Sequence, residues 1–493
     1  MKKLTLLFTL FFFSLACGHE KKTLYVVFSY TPLTYIPNVK SEIVTSSILM
    51  NFYDPLIRFD ADFRPSPGLA EYWENPDSLT WIFHLRKNIK FASGKILTSK
   101  DVLYTFKRIS KDTSSDYRTD ISSIDTIFTP DSYTVIFKLK KPCSTYLERI
   151  SQILIIQDNC PDTLLANYSC GTGALIYVKT NKKGAIYAVP NTNYFGKKIA
   201  FDRIIFTSEQ LPFSSDDHTF KNQYFLYTFT PPSDVSKKYN FIGIPGPLNA
   251  IRYIGVNTRI KFLNKKSFRK ALYLALCRKS IADTIKKLYD FPVLPAYEVA
   301  LPSQIGFVFY KAADCNLRDT IKALLGKSGY KGEPIEFLVS QTKLTYARLI
   351  KKNLEEMGIN LKIDPVEPHE IFKRVKETGN FSLFLLALIP QSIDIYSTAE
   401  SHFHTKDISH SLGVKNYFKY SNPVLDSLIK VTGYTVKKHE REKLLQEIES
   451  ILIDDLPAIP VLYEGNTFYL SPNLHWKPRL DRLIFVNEIK PEP

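Results

Sequence analysis

The chain is poor in the residue combinations from which metal sites and hydrolytic centres are built. Its six cysteines in 493 residues include no Cys-x-x-Cys pair, which argues against a zinc ribbon or a thioredoxin-like redox site. Its nine histidines include no His-Glu-x-x-His, and no Gly-x-Ser-x-Gly elbow, P-loop or Gly-x-Gly-x-x-Gly turn occurs. Gly326-Lys327-Ser328-Gly329 lacks the phosphate-loop spacing and reads as a connection between a helix and a strand. An enzyme reading therefore finds no constellation to rest on, and no cofactor is expected. Basic residues outnumber acidic ones by 65 to 49, a net charge of +16. They are spread along the chain, with no arginine-rich block and no RNA-binding signature, so they read as solvated faces rather than a nucleic-acid footprint. Internal repeats, low-complexity tracts and long linkers are absent as well.

What is present describes a folded, multidomain protein. The length implies about two to four domains. An apolar fraction of 44% with 23% charged residues is ordinary for a globular chain, and 29 Tyr and 34 Phe favour β-rich structure. At the N-terminus, Lys2-Lys3 precede a mostly apolar run from Leu4 to Ala16, thirteen residues long. That is too short to cross a bilayer as a helix and suits a secretory signal. Cys17 follows directly and resembles a bacterial lipoprotein processing site, although Ser14 stands where such sites usually carry an aliphatic residue. Cleavage before Cys17 would leave a lipid-modified cysteine tethering the body to a membrane. Cys143, Cys160, Cys170, Cys277 and Cys315 then remain. A Cys160–Cys170 disulfide is one option, and the odd number leaves at least one free thiol.

The stretch from Leu69 to Ser110 is the most informative. Leu79, Trp81, Phe83 and Leu85 alternate with polar or less buried positions, the period of a strand with one buried face. Ser93-Gly94 supplies a turn. Thr98 stands three residues before Asp101, a capping-box start for a helix whose Val102, Leu103, Phe106 and Ile109 share one face. The wording is also specific. Leu69-Ala70-Glu71-x-Trp73, then Phe83-His84-Leu85-Arg86-Lys87-x-x-Lys90-Phe91, then Leu97-Thr98-x-x-Asp101-Val102 resembles the signature of the large extracytoplasmic solute-binding proteins, the receptors of peptide, dipeptide and nickel ABC importers.

The rest of the chain agrees with that resemblance. A buried strand over residues 23–29 is broken at Tyr30-Thr31-Pro32, and a helix over about 42–51 leads into Tyr53-Asp54-Pro55. Residues 131–140 alternate as a strand. Cys170-Gly171-Thr172-Gly173-Ala174 and Asn191-x-Asn193-Tyr194-Phe195 match the family's Gly-Thr-Gly-Pro-Tyr and Arg-Asn-x-x-Tyr-Trp, with Ala174 and Phe195 as departures. One helix is expected from Lys266 to about Leu288; within it Cys277-Arg278 replaces the family's Asp-Arg, which puts a local ion pair in doubt. Residues 335–339, 346–357 and 360–363 read as one β-α-β unit closed by Gly358. The resemblance covers nearly the whole mature chain.

It implies a mixed α/β fold of the periplasmic-binding-protein type II, three-domain cluster C kind, with two lobes closing on a ligand cleft. The expected division is a signal over 1–16, domain I over 17–50, 163–260 and 464–493, domain II over 51–162, and domain III over 261–463. The implied function is a lipid-anchored, monomeric receptor that captures an oligopeptide and delivers it to a membrane permease without turning it over. A nickel or other non-peptide receptor, or a surface interaction protein on the same fold, are the alternatives. Cleft positions suggested by the resemblance are Tyr30, Thr31, Gly171, Thr172, Asn257 and Tyr463, with Tyr117 reaching in from the second domain. Peptide-binding relatives place a tryptophan and an ammonium-binding aspartate in the region corresponding to Ala387–Tyr396. Laid on without gaps, these fall on Leu388 and Gln391, while Asp394 matches the second acidic position. Gln391 can accept a hydrogen bond but carries no charge. Either Asp394 takes the ammonium after a shift, or the ligand lacks a free amino terminus; the plainer reading of Asp394 is a turn or capping carboxylate. His402-Phe403-His404, read as a strand, would put two rings on one face, with His410 near, as candidate metal ligands.

Overall fold

The computed structural model describes residues 21–209, 222–310, 317–390, 392–410 and 412–492. The expected signal, Cys17 and Gln391 lie outside the described residues. The fold is organised by three sheets, each with its own apolar core.

The first sheet has seven strands in the order Ile242–Pro245, Thr467–Leu470, Gln223–Tyr227, Thr23–Val27, Arg203–Thr207, Ile186–Pro190 and Leu175–Thr180. The nearly continuous apolar run Thr23–Val27 pairs in parallel with both Arg203–Thr207 and Gln223–Tyr227. A strand paired in parallel on both sides and covered on both faces needs apolar residues at every position, which is why no alternation is visible in it. The helix Ile43–Phe52 packs on this sheet with every residue from Val44 to Phe52 buried. Glu42 caps it, accepting the amide protons of Val44 and Thr45 at 2.7 and 2.6 Å. Cys160 and Cys170 form a disulfide inside the same core. Cys277 is also disulfide-bonded, and Cys143 carries a free thiol.

The second sheet is antiparallel, in the order Ala70–Asp77, Thr80–Leu85, Thr134–Leu139, Ile124–Phe128. Phe83, Leu85, Val135, Phe137 and Leu139 are buried, as the alternation requires. Leu79 departs from the expectation: the strand begins at Thr80, and Leu79 sits exposed in the tight turn before it. The helix Ser99–Lys111 covers the sheet, with the Phe106 ring edge-on to Phe137 at 5.0 Å. Its capping box is formed as expected. Asp101 also receives the amide of Asp158 and pairs with Lys95, so the cap ties down a neighbouring loop.

The third sheet runs Val293–Pro295, Ala458–Glu464, Ala250–Val256, Leu383–Leu388, Ile335–Ser340, Leu361–Val366, with apolar clusters on both faces. Ile335–Ser340 and Leu361–Val366 are parallel and joined by the helix Leu344–Glu356, the β-α-β unit read from the sequence. The single helix expected over 266–288 is two, Lys266–Leu274 and Arg278–Leu288. Apolar periodicity runs through the break; what stops the helix is tertiary. Arg278 is buried and donates to the Pro460 and Tyr273 carbonyls at 2.9 Å each, and the Cys277 amide donates to Asn353 Oδ1 at 2.8 Å. His402 lies in the π-helical turn Ala399–Phe403 rather than on a strand, so the expected one-face arrangement of His402 and His404 does not occur.

The chain passes between the first and third sheets twice, once between Pro245 and Ala250 and once between Glu464 and Thr467. The two crossings are neighbours. Pro245 is opposite Thr467 and Ala250 opposite Glu464, so they form one two-stranded ribbon. Gly246 and Gly465 sit at its waist, where a Cβ would lie 2.8 Å from the Asn466 and Pro247 carbonyl oxygens respectively.

Candidate functional site

The C-terminal ends of the parallel strands in the first sheet lie on the side where the chain crosses to the third, since Thr467–Leu470, which follows the crossing, runs antiparallel to Gln223–Tyr227; open α/β sheets present ligand-binding loops at such strand ends. Tyr30 and Thr31 stand just beyond the Thr23–Val27 strand, both exposed, Tyr30 to 44%. The Tyr30 hydroxyl donates to Glu42 Oε2 at 3.1 Å. Partial burial, reinforced by that carboxylate, pushes the phenol up to about 12, so Tyr30 is a neutral donor at any physiological pH.

The other candidates are held within the protein. Thr172 is buried and donates to Asp54 Oδ2 at 2.7 Å; Tyr194 donates to the other oxygen at 3.1 Å, and Arg58 pairs with the same carboxylate. Gly171 and Gly173 press against the end of the Ile43–Phe52 helix, where a Cβ at either would fall on the Phe52 backbone. This Gly-Thr-Gly segment fastens the crossover to the helix end. Tyr117 is buried in the core of the second sheet, its hydroxyl 3.4 Å from the Lys40 carbonyl. Asn257 donates to the Phe381 carbonyl at 3.0 Å, locking the third-sheet strand to its neighbour. Tyr463 is buried with its hydroxyl 3.3 Å from the Glu298 carbonyl.

Asp394 is buried and fully engaged. Arg441 reaches its Oδ2 through Nη2 at 2.7 Å and Nε at 3.1 Å, and the Tyr396 amide donates to Oδ1 at 2.9 Å. The turn-carboxylate reading and a strong ion pair thus coincide in one residue. His402 is half-buried with its Nδ1 2.8 Å from the Ser401 hydroxyl, and desolvation, with Lys415 as a lesser cause, pulls it down to about 3. His404 Nδ1 lies 2.6 Å from the Thr405 carbonyl, and His410 Nδ1 lies 2.7 Å from Asp407. Among the described residues no three His, Cys, Asp or Glu side chains converge as a metal site would need.

A contact the sequence did not suggest joins the lobes at a second place. Residues 143–149, which follow the second sheet, meet residues 392–441, which belong with the third. The Ser144 amide donates to the Gly433 carbonyl at 3.1 Å. Arg441 reaches across to Ser144 Oγ, Arg149 Nη2 to Glu400 Oε2 at 3.3 Å, and the Ser392 hydroxyl donates to Glu148 Oε2. These side-chain partners are 244 to 297 residues apart in sequence, so no local pattern announces them.

The sequence profile of the bacterial extracellular solute-binding proteins, family 5 (middle part), matches residues 64–410. The periplasmic oligopeptide-binding protein OppA of Salmonella typhimurium is 24% identical over 478 residues, spanning 87% of this chain and 84% of its own length. DppA from Helicobacter pylori, solved in complex with the peptide STSA, superposes with a TM-score of 0.74 at 21% identity, covering 96% of this chain and 98% of that one. NikZ from Campylobacter jejuni, solved in complex with Ni(L-His), gives 0.76 at 17% identity, covering 96% and 100%. The periplasmic-binding-protein-like α/β fold expected from the sequence is the fold of these structures.

Proposed function

The chain belongs to family 5 of the bacterial extracellular solute-binding proteins, the substrate-binding components of ABC transporters, and from that premise we propose that it captures an oligopeptide between its lobes and hands it to a membrane permease. The observation that carries this reading is the ribbon at Gly246 and Gly465, the one place where the chain itself passes between the first and third sheets, as a hinge does. A peptide is preferred to a metal complex because OppA aligns over most of both chains and because His402, His404 and His410 already have local partners.

In this proposal Tyr30 and Thr31 contact the ligand from the first-sheet lobe. Peptide capture of this kind uses main-chain hydrogen bonds and leaves side-chain pockets wet, giving tolerance to sequence. Gly171, Thr172, Tyr117, Asn257 and Tyr463 hold the cleft walls in place behind it. Asp394 would receive a ligand ammonium only by giving up Arg441, so Gln391 and main-chain carbonyls are the preferred partners for the peptide's amino end. We further take domain I as 17–50, 163–260 and 464–493, domain II as 51–162, and domain III as 261–463. Cys17 would carry the lipid, making the protein a monomeric receptor anchored at an extracytoplasmic membrane face.

Native mass spectrometry of the soluble form starting after Cys17, followed by denaturing extraction, tests the function. A heterogeneous set of short peptides is expected. Nickel or a single non-peptide solute would redirect the assignment. An empty protein whose melting temperature is unmoved by a peptide library would overturn it, because a ligand that binds the folded state must stabilise it.

A further inference from the structure

The contact between residues 143–149 and 392–441 holds more carboxylates than cations. Arg441 is taken by Asp394 at 2.7 Å, and Arg149 by Glu400 at 3.3 Å. Glu400 also accepts the Tyr396 hydroxyl at 2.6 Å. Glu148, on the short helix Tyr146–Ile150, is left without a cation of its own; among the described residues the one hydrogen-bond partner of its carboxylate is the Ser392 hydroxyl from across the interface. Arg441 and Arg149 face it at longer range, and Asp394 opposes it. Arg149 also interacts with Asp120, from Arg118–Ile121, itself pushed up to about 6 by burial. Cys143 also faces Arg149. From Ile57–Phe59, packed beneath the same helix, Arg58 is committed to Asp54. A half-buried carboxylate whose neighbouring guanidiniums are committed to other carboxylates is cheaper to hold as the neutral acid than one in water, and its proton can be shared with a hydroxyl.

We propose that closure of the lobes at this contact takes up a proton at Glu148, so that mildly acidic conditions favour the closed receptor. The inference rests on the two-lobe reading above but not on which solute is bound. In the closed contact, burial first and the Asp394 carboxylate second raise Glu148 to about 7, whereas an ordinary glutamate exposed in an open form titrates near 4.5. The sign follows. The group with the higher value binds the proton, so closing gains as pH falls through 7 and gains no more once both forms are protonated. Between pH 7.5 and pH 5.5 the closed-to-open ratio rises about 20-fold, and while the open form predominates the affinity of a solute held only by the closed form rises by the same factor.

Two measurements on the solute-free protein test this. Carboxyl-carbon NMR should show one glutamate resonance, absent in Glu148→Gln, with a midpoint raised above the ordinary 4.5, moving towards 7 as the closed form becomes more populated. Spin labels at Lys111 and Lys279, in a Cys143→Ser background, should show the short interlobe distance gaining at pH 5.5 over pH 7.5 in the parent and not in Glu148→Gln. A Glu148 resonance titrating at the ordinary 4.5, or distances that are the same at both pH values, overturns the proposal. Neither readout uses a peptide, so failure of peptide capture would leave both results standing.

Discussion

Replacing Arg441 by alanine should be among the most damaging single changes in the third-sheet lobe. The guanidinium holds the buried Asp394 carboxylate through two nitrogens, donates to the Thr432 carbonyl at 2.6 Å and reaches Ser144. Its removal strands a carboxylate that is almost wholly out of water, with the Tyr396 amide as its remaining close donor. Breaking a buried pair from one side costs about 3–5 kcal/mol, because the remaining charge has lost its compensation. For a lobe of this size, that corresponds to a melting temperature lowered by roughly 6–20 °C. The assay is a double-mutant cycle of Arg441→Met, Asp394→Asn and both together, read by calorimetry. The pair replaced by neutral residues should recover much of the loss, with a coupling energy of about 2 kcal/mol or more. Were Arg441→Ala to lie within about 0.5 kcal/mol of the parent, the typical range for surface positions, the argument that Asp394 is committed internally would fail. Were Asp394→Asn instead to abolish peptide binding while leaving stability intact, the carboxylate would belong to the ligand.

Three further outcomes follow from the packing. Thr172→Val removes one of three donors to the fully buried Asp54 and should cost about 1.5–3 kcal/mol, seen as a lower urea midpoint at unchanged slope; an unshifted midpoint would contradict it. Gly173→Ala drives a Cβ into the Phe52 backbone and should cost at least about 1–3 kcal/mol, whereas Gly326→Ala, in open space near the end of Arg318–Ser328, should stabilise by about 0.5–1 kcal/mol; equal effects on thermal melting would refute the contrast. Glu449 is buried, accepts the Val299 amide at 2.6 Å, and is raised to about 8, by burial first and then by Glu298. The unfolded chain ionises near 4.5 and the folded one holds its proton, so this group subtracts stability as pH rises from 4.5 through 8. The melting-temperature advantage of Glu449→Gln should therefore grow between pH 5 and pH 8; parallel curves would rule it out.

Much of the fold was legible because its rules are local. The Thr98–Asp101 capping box, the alternation in Thr134–Leu139 and the β-α-β unit around Leu344–Glu356 each follow from neighbours within a few residues. The break at residues 275–277 was hidden because the apolar period continues across it and the cause lies in Pro460 and Asn353. Site residues were harder for the same reason. Tyr117, Asn257 and Tyr463 stand where a ligand contact or a core residue would read alike, and only packing separates the two. Glu148 and Arg441 carried no signal at all, since the partners that define them arrive from the other lobe.

The hinge ribbon also makes one half of the molecule a cassette. Every strand of the third sheet lies between Ala250 and Glu464, and both apolar clusters on its faces are drawn from residues 248–463. The chain enters and leaves this body at adjacent points of a single strand pair, with Pro245 and Thr467 already side by side in the other body. Two splice sites, at Gly246 and Gly465, are therefore enough to exchange the whole lobe between relatives without cutting a core. Recombination at those two glycines would move the third-sheet body as a unit and leave the first-sheet body with Tyr30 behind, so new pairings of the two bodies can arise in a single step.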